Sequence, residues 1–107
     1  MSLKPPKSGV TLVFARALAK PGKADEVEKL LLACIENANS DKEPYTHTYR
    51  CGRHGDEFRL MEEYDQDLGG IEEHKKQKPF QDLVASGLVA EVEILFYDEI
   101  GKKKGKL

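Results

Sequence analysis

The sequence predicts a single small α+β domain, and three observations support that fold class. A length of 107 residues fits one domain. Apolar residues make up 39% of the chain and charged residues 34%, which is typical of a globular protein. Segments that alternate with a period of two stand between segments with three- and four-residue steps, so strands and helices are interleaved along the chain.

The first part of the chain predicts a strand, a turn and a helix. Residues 9–18 are rich in β-branched and apolar side chains, as in a mostly buried strand. Lys20-Pro-Gly-Lys23 predicts a turn. A helix from about Ala24 to Ala38 is indicated by apolar residues at helical spacing, namely Val27, Leu30, Leu31, Cys34 and Ile35.

Two strands joined by a turn follow the helix. Residues 45–51 alternate as a second strand, and Gly52–Asp56 predicts the turn into a third at 57–64. The period of two places four side chains of the third strand on one face: Phe58, Leu60, Glu62 and Tyr64.

The last part predicts two short helices and a fourth strand. The helices span about Asp67–Lys76, with Asp67 as N-cap, and Pro79–Ser86, with Pro79 in the first turn. Residues 90–97 alternate as the last strand. The order β-α-β-β-α-(α)-β is that of the ferredoxin-like split βαβ fold with a four-stranded antiparallel sheet. We place the domain at residues 9–100 and expect residues 1–8 and 101–107 to be flexible termini.

Both faces of this sheet offer apolar residues, but helices can cover only one. On the last strand Val92, Ile94 and Phe96 point one way, and Leu95 and Tyr97 the other. A large bare apolar face usually marks an interface. We therefore expect an obligate homodimer in which two sheets pack face to face, with an interface above about 1,000 Å².

Charge and composition exclude several classes of partner. Six of the 17 basic residues lie in the terminal segments, which leaves 11 against 19 acidic residues and a net charge of about −8 on the body. A basic surface for nucleic acid is therefore not expected there. No stretch approaches the ~20 apolar residues of a membrane span, and the start lacks a secretory signal, so the two cysteines predict a reduced, cytoplasmic protein.

Motifs for a bound cofactor are missing from the sequence. No Gly-rich phosphate-binding fingerprint follows the first strand, and no Gly-x-Ser-x-Gly nucleophile motif occurs. The three histidines, His47, His54 and His74, lack metal-ligand spacing with one another and with the cysteines. We expect a protein that needs no metal, haem or flavin.

Four motifs with characteristic spacing follow one another along the chain. They are Lys20-Pro-Gly-Lys23 before the first helix, Glu43-Pro44 followed by Tyr49, Phe58-x-Leu-x-Glu62-x-Tyr64, and Ile71-Glu-Glu-His74 followed by Phe80. The ordered set resembles the antibiotic-biosynthesis-monooxygenase domain family, also described as dimeric α/β-barrel proteins, from about Val10 to Asp98. The resemblance implies that fold, a homodimer, and oxygenation of a small electron-rich aromatic substrate without a cofactor.

The chain departs from the family pattern in places. Tyr45 stands where the family usually has Gly, and Tyr64 where Trp is common. The haem-degrading branch has Asn where Arg16 falls and Trp near His74, so the resemblance does not extend to haem breakdown.

His74 is the best candidate base in the implied reaction. The ordinary pKa of histidine, about 6.5, suits proton transfer near neutrality. We expect His74 to face an internal pocket lined by Phe58, Leu60, Tyr64 and Phe80. The alternative is a structural His74 that fastens its helix to the third strand through Glu62 or a backbone carbonyl.

Other polar residues complete the predicted substrate pocket. A buried Glu62 needs a partner, for which Arg16 or His74 is favoured over direct catalysis. Tyr49 and Tyr64 are candidates to orient a phenolic oxygen, or else simply pack. Arg16 could hold an anionic oxygen, although a salt bridge to a strand carboxylate is favoured. The second function class left open is a non-oxidative ligand-binding module, isomerase or lyase on the same dimeric fold.

Overall fold

The computed structural model describes residues 8–101, and it confirms the predicted α+β element order. The elements are β1 (Val10–Ala19), α1 (Ala24–Ala38), β2 (Thr46–His54), β3 (Glu57–Asp65), α2 (Gly70–Lys75), α3 (Lys78–Ala85) and β4 (Val89–Asp98). Of the two predicted flexible termini, residues 1–7 and 102–107 lie outside the described residues. Ser8, the first described residue, donates a hydrogen bond from its hydroxyl to Asp98 Oδ1 at 2.6 Å.

The four strands form one antiparallel sheet in the order β2-β3-β1-β4, so the ferredoxin-like fold is confirmed. The pairing register fixes which side chains share a face, because directly opposed residues project the same way. Val13 of β1 lies opposite both Glu62 of β3 and Phe96 of β4, and Val13 is buried under the helices. These three residues therefore lie on the covered face, which we define as the face that the helices pack against.

The hydrophobic core lies between α1 and the covered face. Val27, Leu31 and Cys34 of α1 are almost completely buried, as the helical spacing predicts. They pack on apolar strand residues that alternate along β1 and β3, including Val13, Ala17, Phe58, Leu60 and Tyr64.

Two element boundaries differ by more than one residue from the predicted ones. Helix α2 begins at Gly70 and not near Asp67, because residues 66–69 form turns and Gly69 adopts a left-handed φ of 75°. A Cβ at Gly70 would lie 2.7 Å from the carbonyl oxygen of Tyr45, so this glycine lets α2 approach the sheet closely. Strand β2 continues to His54, which shortens the predicted β2–β3 turn to Gly55 and Asp56.

Strand β4, at one edge of the sheet, is exposed on both faces. Its covered-face residues Val92, Ile94 and Phe96 are 63%, 46% and 42% exposed. Leu95 and Tyr97 on the bare face, the one opposite the helices, are exposed to a similar degree. The predicted alternation of β4 side chains between the two faces is confirmed. Apolar surface of β4 is, however, left uncovered on both faces and not only on the bare face. Among residues 8–101, no helix is long and apolar enough to cross a membrane.

Candidate functional site

His74 lies inside the protein, on the short helix α2, and is only 4% exposed. Three aromatic rings surround its imidazole. The imidazole centroid lies 4.9 Å from the ring of Tyr49, 5.8 Å from that of Tyr64 and 5.1 Å from that of Phe80. Helix α2 directs His74 into the interior because Ile71, about one turn earlier on the same face of the helix, is buried.

The partner of His74 is Glu43, in the loop before β2. His74 Nδ1 lies 2.7 Å from Glu43 Oε1, and the glutamate side chain is fully buried. An ionised carboxylate only accepts hydrogen bonds, so Nδ1 carries the proton in this pair. The other ring nitrogen, Nε2, is buried and has no hydrogen-bond partner among the described residues. A neutral imidazole held in this tautomer presents a free lone pair at Nε2.

Side-chain donors from α1, β2 and α2 hold the Glu43 carboxylate in place, and the donor from α2 is His74 Nδ1. Asn37, near the end of α1, donates from Nδ2 to Glu43 Oε2 at 2.6 Å. Thr46 at the start of β2 donates its hydroxyl to Oε1 at 3.2 Å. Asn37 Nδ2 also donates to Gln77 Oε1 at 3.1 Å, which links the network to the residue before α3. This set satisfies a carboxylate that has no contact with solvent.

Glu62 is the second buried carboxylate on the covered face. It accepts a hydrogen bond from the Tyr64 hydroxyl, and not from Arg16 or His74 as the sequence led us to expect. The pKa of Glu62 is raised to about 7, mainly by burial; the hydrogen bond from Tyr64 lowers it, and the negative charge of Glu43 makes a smaller upward contribution. Glu62 therefore titrates near neutral pH, beside the rings that surround His74.

The two tyrosines of the site are held in their neutral form. Burial, followed by the negative charge of Glu62, raises the pKa of Tyr49 and of Tyr64 far above the usual range of a phenol. Both hydroxyls therefore keep their proton and do not serve as bases, and that of Tyr64 donates to Glu62.

The thiols are also held in their neutral form. Cys34 and Cys51 are free cysteines, and burial raises their pKa to about 12 and about 11. A thiolate nucleophile is consequently disfavoured. Within residues 8–101 there is no group of three or more His, Cys, Asp or Glu side chains placed to hold a metal ion.

The structure brings most of the predicted site residues together, but not Arg16. Phe58 and Leu60 belong to the same core cluster as Tyr49 and Tyr64. Arg16 lies on the bare face, where it forms ion pairs with Glu57 at 3.3 Å and Glu91 at 3.5 Å. It is therefore separated from His74 by the sheet, and its partners are the strand carboxylates that were the favoured alternative.

The remaining histidines lie away from His74. His47 is exposed in the irregular pairing at the start of β2, and its Nδ1 lies 3.0 Å from Glu63 Oε2. His54 is exposed at the end of β2.

A separate groove of about 430 Å³ opens on the bare face. Apolar side chains of Phe14, Met61 and Leu95 form part of its lining, together with Arg16, Arg50, Arg59 and Glu93. Gly52 also lines it, and a Cβ at this position would meet nothing within 4 Å. The groove and the His74 site are thus on opposite sides of the sheet.

Sequence reasoning did not assign a role to Glu43 or Asn37. In the sequence Glu43 is recognisable only as part of a Glu-Pro pair, and its partner His74 is 31 residues further along the chain. Asn37 falls in the last turn of an amphipathic helix, next to apolar Ala38 and three residues after Cys34. A polar Asn37 on the buried face of α1 is the sequence feature that indicates a buried polar network.

Comparison with solved structures identifies close matches in fold. A candidate antibiotic biosynthesis monooxygenase from Caulobacter crescentus matches with a TM-score of 0.77 and 22% identity, covering 89% of this chain and 93% of that one. A protein from Mycobacterium tuberculosis matches with a TM-score of 0.76 and 20% identity, covering 87% and 97%. A candidate antibiotic biosynthesis monooxygenase from Nitrosomonas europaea has a TM-score of 0.74 and 16% identity, covering 96% and 99%.

The chain shares the fold of these proteins. At such low identity the likeness concerns the fold, and the chemistry has to be argued from the site. No protein-family model matches the sequence, and no curated protein matches it either.

Proposed function

We propose that the chain is a member of the antibiotic-biosynthesis-monooxygenase family and oxidises a small electron-rich phenol, hydroquinone or anthrone with O2, using His74 as the base. One observation carries the proposal: the buried Glu43–His74 pair leaves Nε2 without a partner inside a cage of aromatic rings. A structural histidine would normally use both ring nitrogens when buried. The motif resemblance and the shared fold support the same reaction class.

The first step of the proposed reaction is proton removal from the substrate. Nε2 of His74 takes the proton, and the imidazolium that forms is stabilised by the adjacent Glu43 carboxylate. Among the three ring neighbours of His74, Phe80 is half-buried, whereas Tyr49 and Tyr64 are buried. We therefore expect the substrate to approach Nε2 from the side of Phe80.

The electrons of the reaction come from the substrate. The deprotonated aromatic passes one electron to O2, and the resulting radical pair combines to form a carbon–peroxide bond. Cleavage of the O–O bond then releases water and leaves a quinone oxygen on the ring, so one O2 is consumed for each quinone and each water formed. In its protonated form Glu62 can donate a hydrogen bond to the substrate oxygen, while the Tyr64 hydroxyl holds one oxygen of its carboxyl group.

An oxygen-uptake screen over hydroquinones, phenols and anthrones tests the proposal. The purified, untagged protein is assayed without added flavin or metal, with and without a chelator. We expect substrate-dependent O2 consumption, matched by quinone absorbance and unaffected by the chelator. A stoichiometric metal, a visible chromophore, or activity that disappears with chelation would contradict the cofactor-free reaction.

We also propose that the protein is located in the cytoplasm, and the free thiols of Cys34 and Cys51 support this location.

We also propose that the working form is a homodimer with the bare sheet faces packed together. Phe14, Met61, Leu95 and Tyr97 lie on that face and are each between 38% and 48% exposed. Contiguous apolar exposure of this kind usually marks a protein interface. Sedimentation at micromolar concentration should show a species of twice the 12.0 kDa chain mass. A folded monomer alone would contradict the proposal.

The groove on the bare face supports the second candidate function, a non-oxidative small-ligand-binding module. Its apolar lining and its three arginines suit a small anionic aromatic ligand. In that case the protein should bind naphthoate- or benzoate-like probes without consuming O2, and Arg50→Ala should weaken binding whereas His74→Ala should not. The oxygen-uptake screen with the same compounds separates the two functions.

A further inference from the structure

The bare face carries a regular grid of side chains because its four strands stay in register. One row across the sheet contains Arg50 of β2, Met61 of β3, Phe14 of β1 and Leu95 of β4. The next row contains Gly52, Arg59, Arg16 and Glu93 in the same strand order. Neighbouring rows are about 7 Å apart, since side chains on one face repeat every second residue.

Two charges at opposite edges of this grid have no partner within the part of the chain that the structure describes. Arg59 and Arg16 each form an ion pair with Glu57, at 2.6 Å and 3.3 Å. By contrast, neither Arg50 nor Glu93 forms an ion pair or hydrogen bond within residues 8–101. They stand on the two edge strands, about 14 Å apart across three strand spacings, so they cannot reach each other.

Symmetry leaves two simple ways to pack this face on a second copy. A twofold axis that runs between the sheets along the strands places β2 over β4 of the partner and each row over the same row. An axis that runs across the strands places β2 over β2 and β4 over β4. Only the first arrangement brings Arg50 close to Glu93 of the partner subunit.

Gly52 supplies the space that such a contact needs. It stands next to Arg50 on β2, and in the first arrangement it faces Glu93 of the partner subunit. Because Gly52 has no side chain and a Cβ there would meet nothing within 4 Å, the Arg50 guanidinium has room to cross by one row. Burying either charge without a partner opposes association, so the arrangement that pairs them is favoured.

We propose that the bare faces pack with β2 of each chain over β4 of the other, and that Arg50 forms an ion pair with Glu93 of the partner subunit. By symmetry the contact occurs twice in each dimer. This inference rests on the proposed homodimer, and it adds the strand arrangement and the residues that select it.

Charge exchange between two variants of the full chain tests the arrangement. Arg50→Glu and Glu93→Arg should each raise the dimer dissociation constant by about a hundredfold, because each places like charges in contact twice. An equimolar mixture of the two variants should recover the wild-type constant within about threefold, since both contacts of the mixed dimer then join opposite charges. Lys29→Glu, which makes the same charge change as Arg50→Glu at an exposed position of α1, should have no effect.

The outcomes separate this inference from the homodimer on which it rests. A wild-type dimer whose charge variants do not recover on mixing overturns the β2-over-β4 arrangement and leaves the homodimer intact. A monomeric wild type overturns both. Arg50 and Glu93 are exposed in the single chain, so we expect both variants to fold, as circular dichroism would show. If one does not, Arg50→Asp and Glu93→Lys provide the same exchange.

Discussion

The two faces of the sheet treat polar groups in opposite ways. On the covered face, the carboxylates of Glu43 and Glu62 are buried and both have hydrogen-bond donors within the chain. On the bare face, Arg50 and Glu93 are exposed and have no partner within residues 8–101. The buried carboxylates of the covered face are therefore satisfied within a single chain, whereas the bare face has the features of a surface that a second molecule completes.

Two buried side-chain atoms of α2, His74 Nε2 and Glu73 Oε1, have no hydrogen-bond partner within residues 8–101, and only Nε2 belongs to the Glu43 network. Leaving a buried polar atom without a partner costs about 1–3 kcal/mol, and folding selects against it unless another role retains it. The Glu43, Asn37 and Thr46 side chains satisfy every other part of this network. We therefore propose that the chemistry takes place at Nε2 and that the bare face serves association.

Removal of the base should give the largest effect. His74→Ala should lower turnover by about 10²–10⁴-fold, the usual contribution of a general base, while the chain stays folded. The measurement is the steady-state rate of O2 uptake with the best substrate of the screen. His54→Ala removes an exposed imidazole and serves as the matched control. If His74 only fastens α2, its replacement should lower the melting temperature, and activity should fall only as far as folding does.

Removing one phenyl ring from each face tests the contrast between core and interface. Phe58 on the covered face is 1% exposed and Phe14 on the bare face is 43% exposed. Phe58→Ala should lower the free energy of unfolding by about 3–5 kcal/mol at any protein concentration. Phe14→Ala should cost about 1 kcal/mol in the dilute chain but weaken the dimer, so its effect on the melting temperature should depend on concentration. Equal, concentration-independent losses would contradict the assignment of the two faces.

The raised pKa of Glu62 predicts how the free energy of unfolding changes with pH. Its pKa is about 7 in the folded chain against an ordinary value of 4.5, so the folded state binds more protons between these values. Stability should therefore fall as pH rises from about 4.5 to 7 and then level off, by roughly 2–3 kcal/mol for this group.

Comparing Glu62→Gln with the wild type in urea titrations at pH 5 and pH 8 isolates the contribution of this carboxyl. The variant should lose less stability than the wild type between the two pH values. Glu36→Gln, at an exposed position of α1, should follow the wild type. A Glu62→Gln profile parallel to that of the wild type would show that Glu62 is ionised in the folded protein throughout this range.

The element order could be predicted from the sequence because the apolar periods are clear. Period-two alternation in β3 and β4 and helical spacing in α1 each decide one element without help from the rest of the chain. The start of α2 was placed three residues too early because Asp67 suggested an N-cap. The close approach of Gly70 to Tyr45 O, which positions the helix, depends on a tertiary contact.

The site could be predicted only in part, for a similar reason. Strand parity and the spacing on the short helices group His74, Tyr64 and Phe80, and the structure places the rings of Tyr64 and Phe80 beside His74. The Glu43–His74 pair joins a loop to a helix 31 residues away, and no local pattern encodes such a distance. Arg16 was grouped with the His74 pocket, although strand parity, with Val13 and Ala17 buried on the other face, places it on the bare face.

The tautomer of His74 is the most direct test of the proposed site. Nitrogen-15 NMR of the imidazole at pH 8 reports which ring nitrogen carries the proton, and it needs neither a substrate nor an assay. The Glu43–His74 pair predicts a proton on Nδ1 and a free lone pair on Nε2, with Glu43→Gln weakening that preference. A neutral ring protonated at Nε2 in the wild type would contradict the assignment of His74 as a base oriented by Glu43.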